Sequence, residues 1–118
     1  MAYMLLVMED GDERRNLVNT EARRRMARMI AYGNELQTRG LLVGADSLKS
    51  DITGARVTVR SGKPMFFDGP FTEAKEIVGG YFIVNCAQRD EAVALAAECP
   101  AAEWSTVEVR EIGPCYDE

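Results

Sequence analysis

Two segments of this 118-residue chain are apolar on both of their alternating faces. They read YMLLVM at positions 3–8 and GGYFIVNC at positions 79–86. Successive side chains of a β-strand point to opposite sides of a sheet, so both segments predict strands that are covered on two faces. This double cover restricts the fold more than any other feature, because something must pack against each side of the sheet.

Two other segments have the spacing of amphipathic helices. The first begins at Asn19 or Thr20, whose side chains can cap a first turn, and ends at Gly40, which suits a left-handed exit. The second starts with Asp90 as its cap and stops before Pro100. Apolar residues of the first helix form one stripe, whose methionines are predicted to fill the core: Ala22, Met26, Met29, Ile30, Gly33 and Leu36.

The remaining strands are shorter. LLVGADSL at 41–48 predicts a strand with a glycine interruption, and STVEVREI at 105–112 alternates between apolar and polar residues. ARVTVR at 55–60 also alternates, and a Ser-Gly turn at 61–62 joins it to the return strand PMFF at 64–67. The predicted order is strand, helix, strand, hairpin, strand, helix, strand.

Two helices in a chain of this length can cover only one face of a four- or five-stranded sheet. We therefore expect an α+β fold with a ferredoxin-like protomer, in which two helices pack on one face of an antiparallel sheet. The sheet of a second subunit would cover the other face, which predicts a homodimer of the dimeric α+β barrel type. Residues 1–118 are expected to form one domain, with a core at about 2–112 and a C-terminal tail at 113–118.

The charge balance limits the partners. The chain carries 14 Lys and Arg against 19 Asp and Glu, a net charge of −5. This gives no basic field for a phosphate backbone, so nucleic-acid binding is not expected, and the arginines clustered in 14–28 are interpreted as a solvated helix face. The first residues lack the basic region and the length of a signal or membrane segment, so we expect a cytoplasmic location and no membrane association.

The chain has no histidine. This removes the commonest general base, the usual charge-relay triads and most zinc or iron sites. The three cysteines lie far apart and are interpreted as reduced structural thiols. No metal or cofactor is expected, and any catalysis has to use carboxylates, Tyr, Lys, Arg or Cys.

The segment FFDGPFTEAKEIVGGYF at 66–82 is the first candidate site. Asp68, Gly69 and Pro70 are turn residues, so one interpretation is a purely structural connector. The charged residues that follow, and the glycines at 79–80 that let a backbone pack closely or donate to a ligand, favour a binding site. Both interpretations stay open at this point.

Glu108 and Arg110 form the second candidate. They share the polar face of the last strand, opposite two valines. If that face lies between two sheets, the carboxylate needs a basic partner, so a structural ion pair is at least as good an interpretation as a catalytic role. Tyr81 and Trp104 could line a pocket, although core positions are commoner for such aromatic residues.

Four stretches carry a resemblance to a known family: YMLLV at the start, GNELQTRGLLVGADSL at the exit of the first helix, FFDGPFTEAKEIVGGYFIV, and PAAEWSTVEVR near the end. The chain resembles the YCII-related family, specifically its DGPF-containing branch, over roughly residues 2–112. The resemblance implies the dimeric α+β barrel. It implies little about activity, since most members have none assigned, although a few relatives act as lyases on small aromatic or chlorinated ring compounds.

The chain departs from the family in its acid–base residues. The histidine of the His–Asp pair proposed as catalytic in the short branch has no counterpart, and Trp104 stands where members of the DGPF branch often carry a histidine. Only the aspartate remains at a matching position, as Asp68, so a histidine-dependent mechanism is excluded. Members of this branch are often encoded beside extracytoplasmic-function sigma factors, which implies a sigma factor as another kind of partner.

These observations predict a small-molecule site near Asp68. Lyase or isomerase chemistry without a cofactor would suit it, with Asp68 as general base or anchor and Glu108 as a second catalytic group, because desolvation alone raises the pKa of a carboxylate into a working range. The predicted substrate-binding residues are Phe67, Gly69, Pro70, Phe71, Glu76, Tyr81 and Arg110. Whether the protein is an enzyme stays open: the alternative is a non-catalytic regulatory protein acting with a sigma factor, since an acidic surface suits a basic partner protein.

Overall fold

The main sheet of the structure, a computed structural model that describes residues 1–116, has four antiparallel strands. The elements run in chain order as β1 (Ala2–Glu9), α1 (Gly11–Asn16), α2 (Asn19–Thr38), β2 (Leu42–Ser47), β3 (Ala55–Arg60), β4 (Lys63–Asp68), β5 (Ile77–Asn85), α3 (Arg89–Glu98) and β6 (Thr106–Glu111), with single 3-10 turns at Asp51–Thr53 and Pro100–Glu103. The last two positions of the predicted tail 113–118 lie outside the described residues.

The strand order of the main sheet is β2-β5-β1-β6, and α2 and α3 connect its strands. This is the ferredoxin-like arrangement, so the predicted α+β class is confirmed. Side chains of directly opposite residues share a face of the sheet, and Leu5 on β1 lies opposite Phe82 on β5. Both are buried under the helices in a core that joins the sheet to α2 and α3 and contains Tyr3, Leu5, Val7, Tyr32, Leu36, Phe82, Val84, Cys86, Ala92, Leu95, Ala96, Cys99 and Ala101.

The two long helices are tied to each other and to the sheet through Tyr32 of α2. Its hydroxyl donates a hydrogen bond of 2.5 Å to the carbonyl oxygen of Leu95 in α3. Its ring meets the ring of Phe82 edge-on, with centroids 5.1 Å apart. Burial raises the pKa of the Tyr32 hydroxyl, so this donor stays protonated and the tie persists over the ordinary pH range.

The opposite face of the main sheet carries no helix in the described chain. Its apolar residues are only half-buried, and we call them the open face: Met4, Leu6, Met8, Tyr81 and Ile83. Helices therefore cover one side of β1 and β5 as predicted, while the other side of both strands remains an apolar surface. The predicted second subunit on this side stays a prediction.

The short helix α1 is an element that the predicted order of strands and helices did not contain. It forms because the carboxylate of Asp10 caps it, accepting from the N–H groups of Asp12 and Glu13. The predicted caps of the longer helices were wrong: Val18 precedes α2 and Gln88 precedes α3, and neither side chain makes a capping bond. Each helix is held by tertiary packing instead.

The exit of α2 was predicted correctly, since Gly40 has φ +73°. No helix within residues 1–116 is long and apolar enough to cross a membrane.

The predicted hairpin also forms, as β3 and β4 joined through Ser61 and Gly62, which have φ of 52° and 76°. These strands pair only with each other and make a second sheet separate from the main one. Every residue of 55–68 except Thr58 is exposed.

Candidate functional site

A cleft of about 840 Å³ lies between α2 and the half of the main sheet formed by β2 and β5. The buried residues of α2 are Tyr32 and Leu36, and its residues that line the cleft run from Ala22 to Gln37. The space between the helix and the sheet is open to solvent.

One wall of the cleft is apolar and comes from the stripe of α2. Met26 and Ile30 line it and remain 44% and 53% exposed, although the stripe predicted that its methionines fill the core. Ala22 and Gly33 line the same wall, and Phe82 forms part of the floor. The prediction was wrong for Met26, which faces the open cleft, and correct for Met29, which packs against the core.

The end of the cleft nearest α1 is charged. Glu9 and Arg14 form an ion pair there, and the second Nη atom of Arg14 donates to the carbonyl oxygen of Leu48 at 2.7 Å. Gly79 makes room for this arrangement, since a Cβ at its position would overlap the carboxylate of Glu9. Gly80 brings β5 close to β2, because a Cβ there would lie 2.8 Å from the carbonyl oxygen of Asp46. The paired glycines of the sequence thus serve close packing at the border of the cleft.

A second charged cluster borders the cleft beside Trp104. The guanidinium groups of Arg25 and Arg28 lie 5.0 and 5.4 Å from the centre of the Trp104 ring, within the range of cation–π attraction. Arg25 also binds Glu13 and Glu21, and hydrogen bonds from Arg24 and Arg25 lower the pKa of Glu21 to about 2. These side chains bind one another, so this rim of the cleft is a connected network of charged groups.

The predicted site residues lie in three separate places. Tyr81 borders the cleft between Gly80 and Phe82, but its side chain is on the open face and donates to Asp46 at 2.8 Å. Glu108 and Arg110 are exposed on β6 and form an ion pair of 3.3 Å with each other. The others belong to the hairpin end and the connector after it: Phe67, Asp68, Gly69, Pro70, Phe71 and Glu76. None of these six lines the cleft, and Asp68 itself is exposed.

The connector after β4 is anchored by Asp51, a residue that sequence reasoning missed. The Asp51 carboxylate accepts from the backbone N–H of Phe71 at 2.9 Å and from Arg15 of α1 at 2.8 Å. Gly69 donates its N–H to the carbonyl oxygen of Gly54 at 2.8 Å, and the Phe71 ring lies 4.2 Å from the Arg56 guanidinium. Two of the six predicted residues of this segment, Gly69 and Phe71, therefore make packing contacts. Substrate binding by this segment and catalysis by Asp68 or Glu108 stay predictions.

Low pH should weaken the hydrogen bonds by which the Asp51 carboxylate holds the connector. Hydrogen bonds, first from the Phe71 N–H and then from Arg15, lower the pKa of Asp51 below its ordinary value of 3.8. The unfolded chain then binds this proton at higher pH than the folded chain, so the contribution of Asp51 to stability is complete above that ordinary value and is lost as the pH falls toward the folded-state pKa. We expect Asp51→Asn to remove part of the acid-side fall in melting temperature.

The measurement is a series of thermal unfolding curves from neutral to acid pH. Ser50→Ala, which keeps the carboxylate, is the control and should retain most of the slope. An Asp51→Asn profile parallel to that of the wild type at every pH would contradict the assignment.

Comparison with known proteins gives two findings. The family model described as the YCII-related domain matches residues 1–115, nearly the whole chain. An uncharacterized protein of Rhizobium meliloti (strain 1021) is 29% identical over 106 residues, which are 90% of this chain and 86% of that protein. The match is to the family as a whole, and the DGPF branch stays a prediction.

Proposed function

We propose that this chain, which belongs to the YCII-related family, is a small-molecule-binding protein. Its ligand would lie in the cleft between α2 and the main sheet. The observation that carries the proposal is the cleft itself. Its volume of about 840 Å³ falls within the roughly 300–1,000 Å³ typical of ligand sites. An apolar wall with charged groups at its ends is the usual composition of such sites.

The lining favours a molecule with an apolar body, such as a small ring compound. Met26 and Ile30 are more than two-fifths exposed, and a ligand against them would remove that apolar surface from water. Glu9 and Arg14 already satisfy each other, so the charged end would orient a polar group on the ligand more than it would supply binding energy. Flexible methionine side chains also suit a ligand whose shape varies.

Lyase or isomerase chemistry by a carboxylate remains part of this proposal. Glu9 and Glu13 line the cleft, so they are nearer to a ligand there than Asp68 or Glu108. A base of this kind would have to release its arginine partner before it contacts the ligand, since Glu9 is paired with Arg14 and Glu13 with Arg25. Asp68→Asn and Glu9→Gln, assayed side by side on any compound that binds, would identify the carboxylate responsible.

Filling part of the cleft should weaken binding. Ala22→Trp adds a large side chain to the apolar wall, and we expect it to weaken binding of small aromatic compounds and of the probe anilinonaphthalene sulfonate at least about tenfold, because the ligand and the indole would occupy the same space. Fluorescence titration measures the probe, and thermal shift measures the compounds.

Ala27→Trp is the matched control, because Ala27 lies on the exposed side of the same helix and does not line the cleft. It should bind as the wild type does. Equal binding by both variants would show that the ligand lies elsewhere and would overturn the proposal.

The open face supports a second part of the proposal, a homodimer formed sheet to sheet. Met4, Leu6 and Ile83 lie at its centre, and Glu108 and Arg110 border it on β6. An apolar surface with a polar border is the composition of a protein interface. Light scattering should give a mass of about twice 13.1 kDa at micromolar concentration, and a monomer under these conditions would exclude the dimer.

A further inference from the structure

Two ion pairs account for four of the charged residues that line the cleft. Glu9 binds Arg14, and Glu13 binds Arg25 at 2.9 Å. In each pair the opposite charges lie side by side, so their fields largely cancel at the distance of a ligand. A charged group on a ligand therefore gains little attraction from either pair.

Two further acids on the border of the cleft already have structural roles. The Asp10 carboxylate accepts from the backbone N–H groups of Asp12 and Glu13 at the start of α1. The Asp46 carboxylate accepts from the Tyr81 hydroxyl on the open face, since the two residues lie opposite each other in β2 and β5. The cleft thus offers a cationic group of a ligand no uncommitted carboxylate.

Lys49 is the charged residue of the cleft that stands apart. It lines the cleft, is exposed, and forms no ion pair with any residue of 1–116. Ser47 lines the cleft as well, and its hydroxyl makes no hydrogen bond to another described residue. An ammonium group can donate three hydrogen bonds and a hydroxyl one, so both side chains are suited to anionic oxygens.

Ser47 and Lys49 lie beside the charged end of the cleft, where the sheet is irregular. Leu48, between them in the chain, accepts from Arg14 at 2.7 Å and donates its N–H to the carbonyl oxygen of Gly79 at 2.9 Å. The register of β1 and β5 shifts here and leaves Gly79 without a partner in β1, as in a β-bulge. Bulges are over-represented beside functional sites, where they redirect neighbouring side chains. Both uncommitted donors thus adjoin a part of the sheet with the geometry of a binding site.

We infer that the ligand of the cleft carries an anionic group, such as the carboxylate of a small ring compound, and that Lys49 selects it. The Lys49 ammonium and the Ser47 hydroxyl would bind the anionic oxygens, while the ring lies against the apolar wall of Met26 and Ile30. This inference rests on the small-molecule site proposed above and adds the charge of the ligand and the residue that recognises it.

Two fluorescent probes with the same ring framework test the inference. Anilinonaphthalene sulfonate is anionic, and N-phenylnaphthylamine is the same framework without the sulfonate. Lys49→Met removes the charge and keeps an apolar side chain, so it should weaken binding of the sulfonate about three- to tenfold and leave the neutral probe within about twofold of wild type. Lys49→Arg keeps the charge and should bind the sulfonate within about twofold of wild type. Added salt should weaken sulfonate binding more in the wild type than in Lys49→Met.

Lys75→Met is the matched control, since Lys75 is an exposed lysine that does not line the cleft. It should bind both probes as the wild type does. If it weakened sulfonate binding as much as Lys49→Met does, or if Lys49→Met weakened both probes alike, selection of the anion by Lys49 would be overturned.

The Ala22→Trp variant separates this inference from the proposed site. If Ala22→Trp weakens both probes but Lys49→Met leaves sulfonate binding unchanged, the site stands and anion recognition by Lys49 is refuted. If Ala22→Trp leaves both probes unaffected, the proposed site fails and the inference fails with it.

Discussion

Replacing Gly69 with alanine is expected to destabilise the protein at or above the upper end of the roughly 1–3 kcal/mol that overpacking usually costs. A Cβ on Gly69 would overlap the carbonyl oxygen of Asp51. The obstacle is backbone, which cannot rotate away as a side chain can. The connector would have to move off residues 51–54, and the hydrogen bonds from Phe71 to Asp51 and from Gly69 to Gly54 would break with it.

Urea unfolding at neutral pH measures the loss, and Gly44→Ala is the control. Gly44 also lies in an extended segment, but a Cβ there would have no atom within 4 Å outside its immediate neighbours. The control should unfold within about 1 kcal/mol of the wild type. A Gly69→Ala protein as stable as Gly44→Ala would mean that the connector is not held against Asp51 in solution.

Two substitutions in α2 should separate stability from binding. Leu36 is fully buried, so Leu36→Ala is expected to cost about 2–5 kcal/mol through lost contacts and the cavity left behind. Ile30 is 53% exposed on the wall of the cleft, so Ile30→Ala should cost less than about 1 kcal/mol. The same Ile30→Ala should weaken binding of the fluorescent probe, since it removes part of the apolar wall.

Chemical denaturation gives the free energy of unfolding of both variants, and probe titration gives their affinity for the fluorescent probe. The pattern expected is a large stability loss with Leu36→Ala and a binding loss with little change in stability for Ile30→Ala. If Ile30→Ala destabilised as much as Leu36→Ala, α2 would close onto the sheet in solution and the cleft would not persist.

The fold could be predicted because its signals are repeated along many residues. The apolar runs of β1 and β5 and the three-to-four spacing of α2 each involve six or more positions, so a single exception changes little. Helix caps depend on one side chain each, and both predicted caps were wrong where tertiary packing held the helix without them. The cap of α1 had a local signal, Asp10 followed by two acids in the first turn, and could have been found.

The candidate site could not be located in the same way. An apolar stripe shows which side of α2 faces the sheet, but the distance between the two decides whether Met26 lies in a core or in a cleft. That distance is set by tertiary packing and not by the stripe itself. Asp51 was missed for a similar reason, because its partners are 20 and 36 residues away in the chain.

Adjacent arginines in α1 face different parts of the molecule. Arg14 reaches Glu9 and the Leu48 carbonyl at the charged end of the cleft, and Arg15 reaches Asp51 at the root of the hairpin. These two side chains connect α1 both to the charged end of the cleft and to the root of the hairpin. We expect hydrogen exchange at 11–16 to accelerate when either contact is lost.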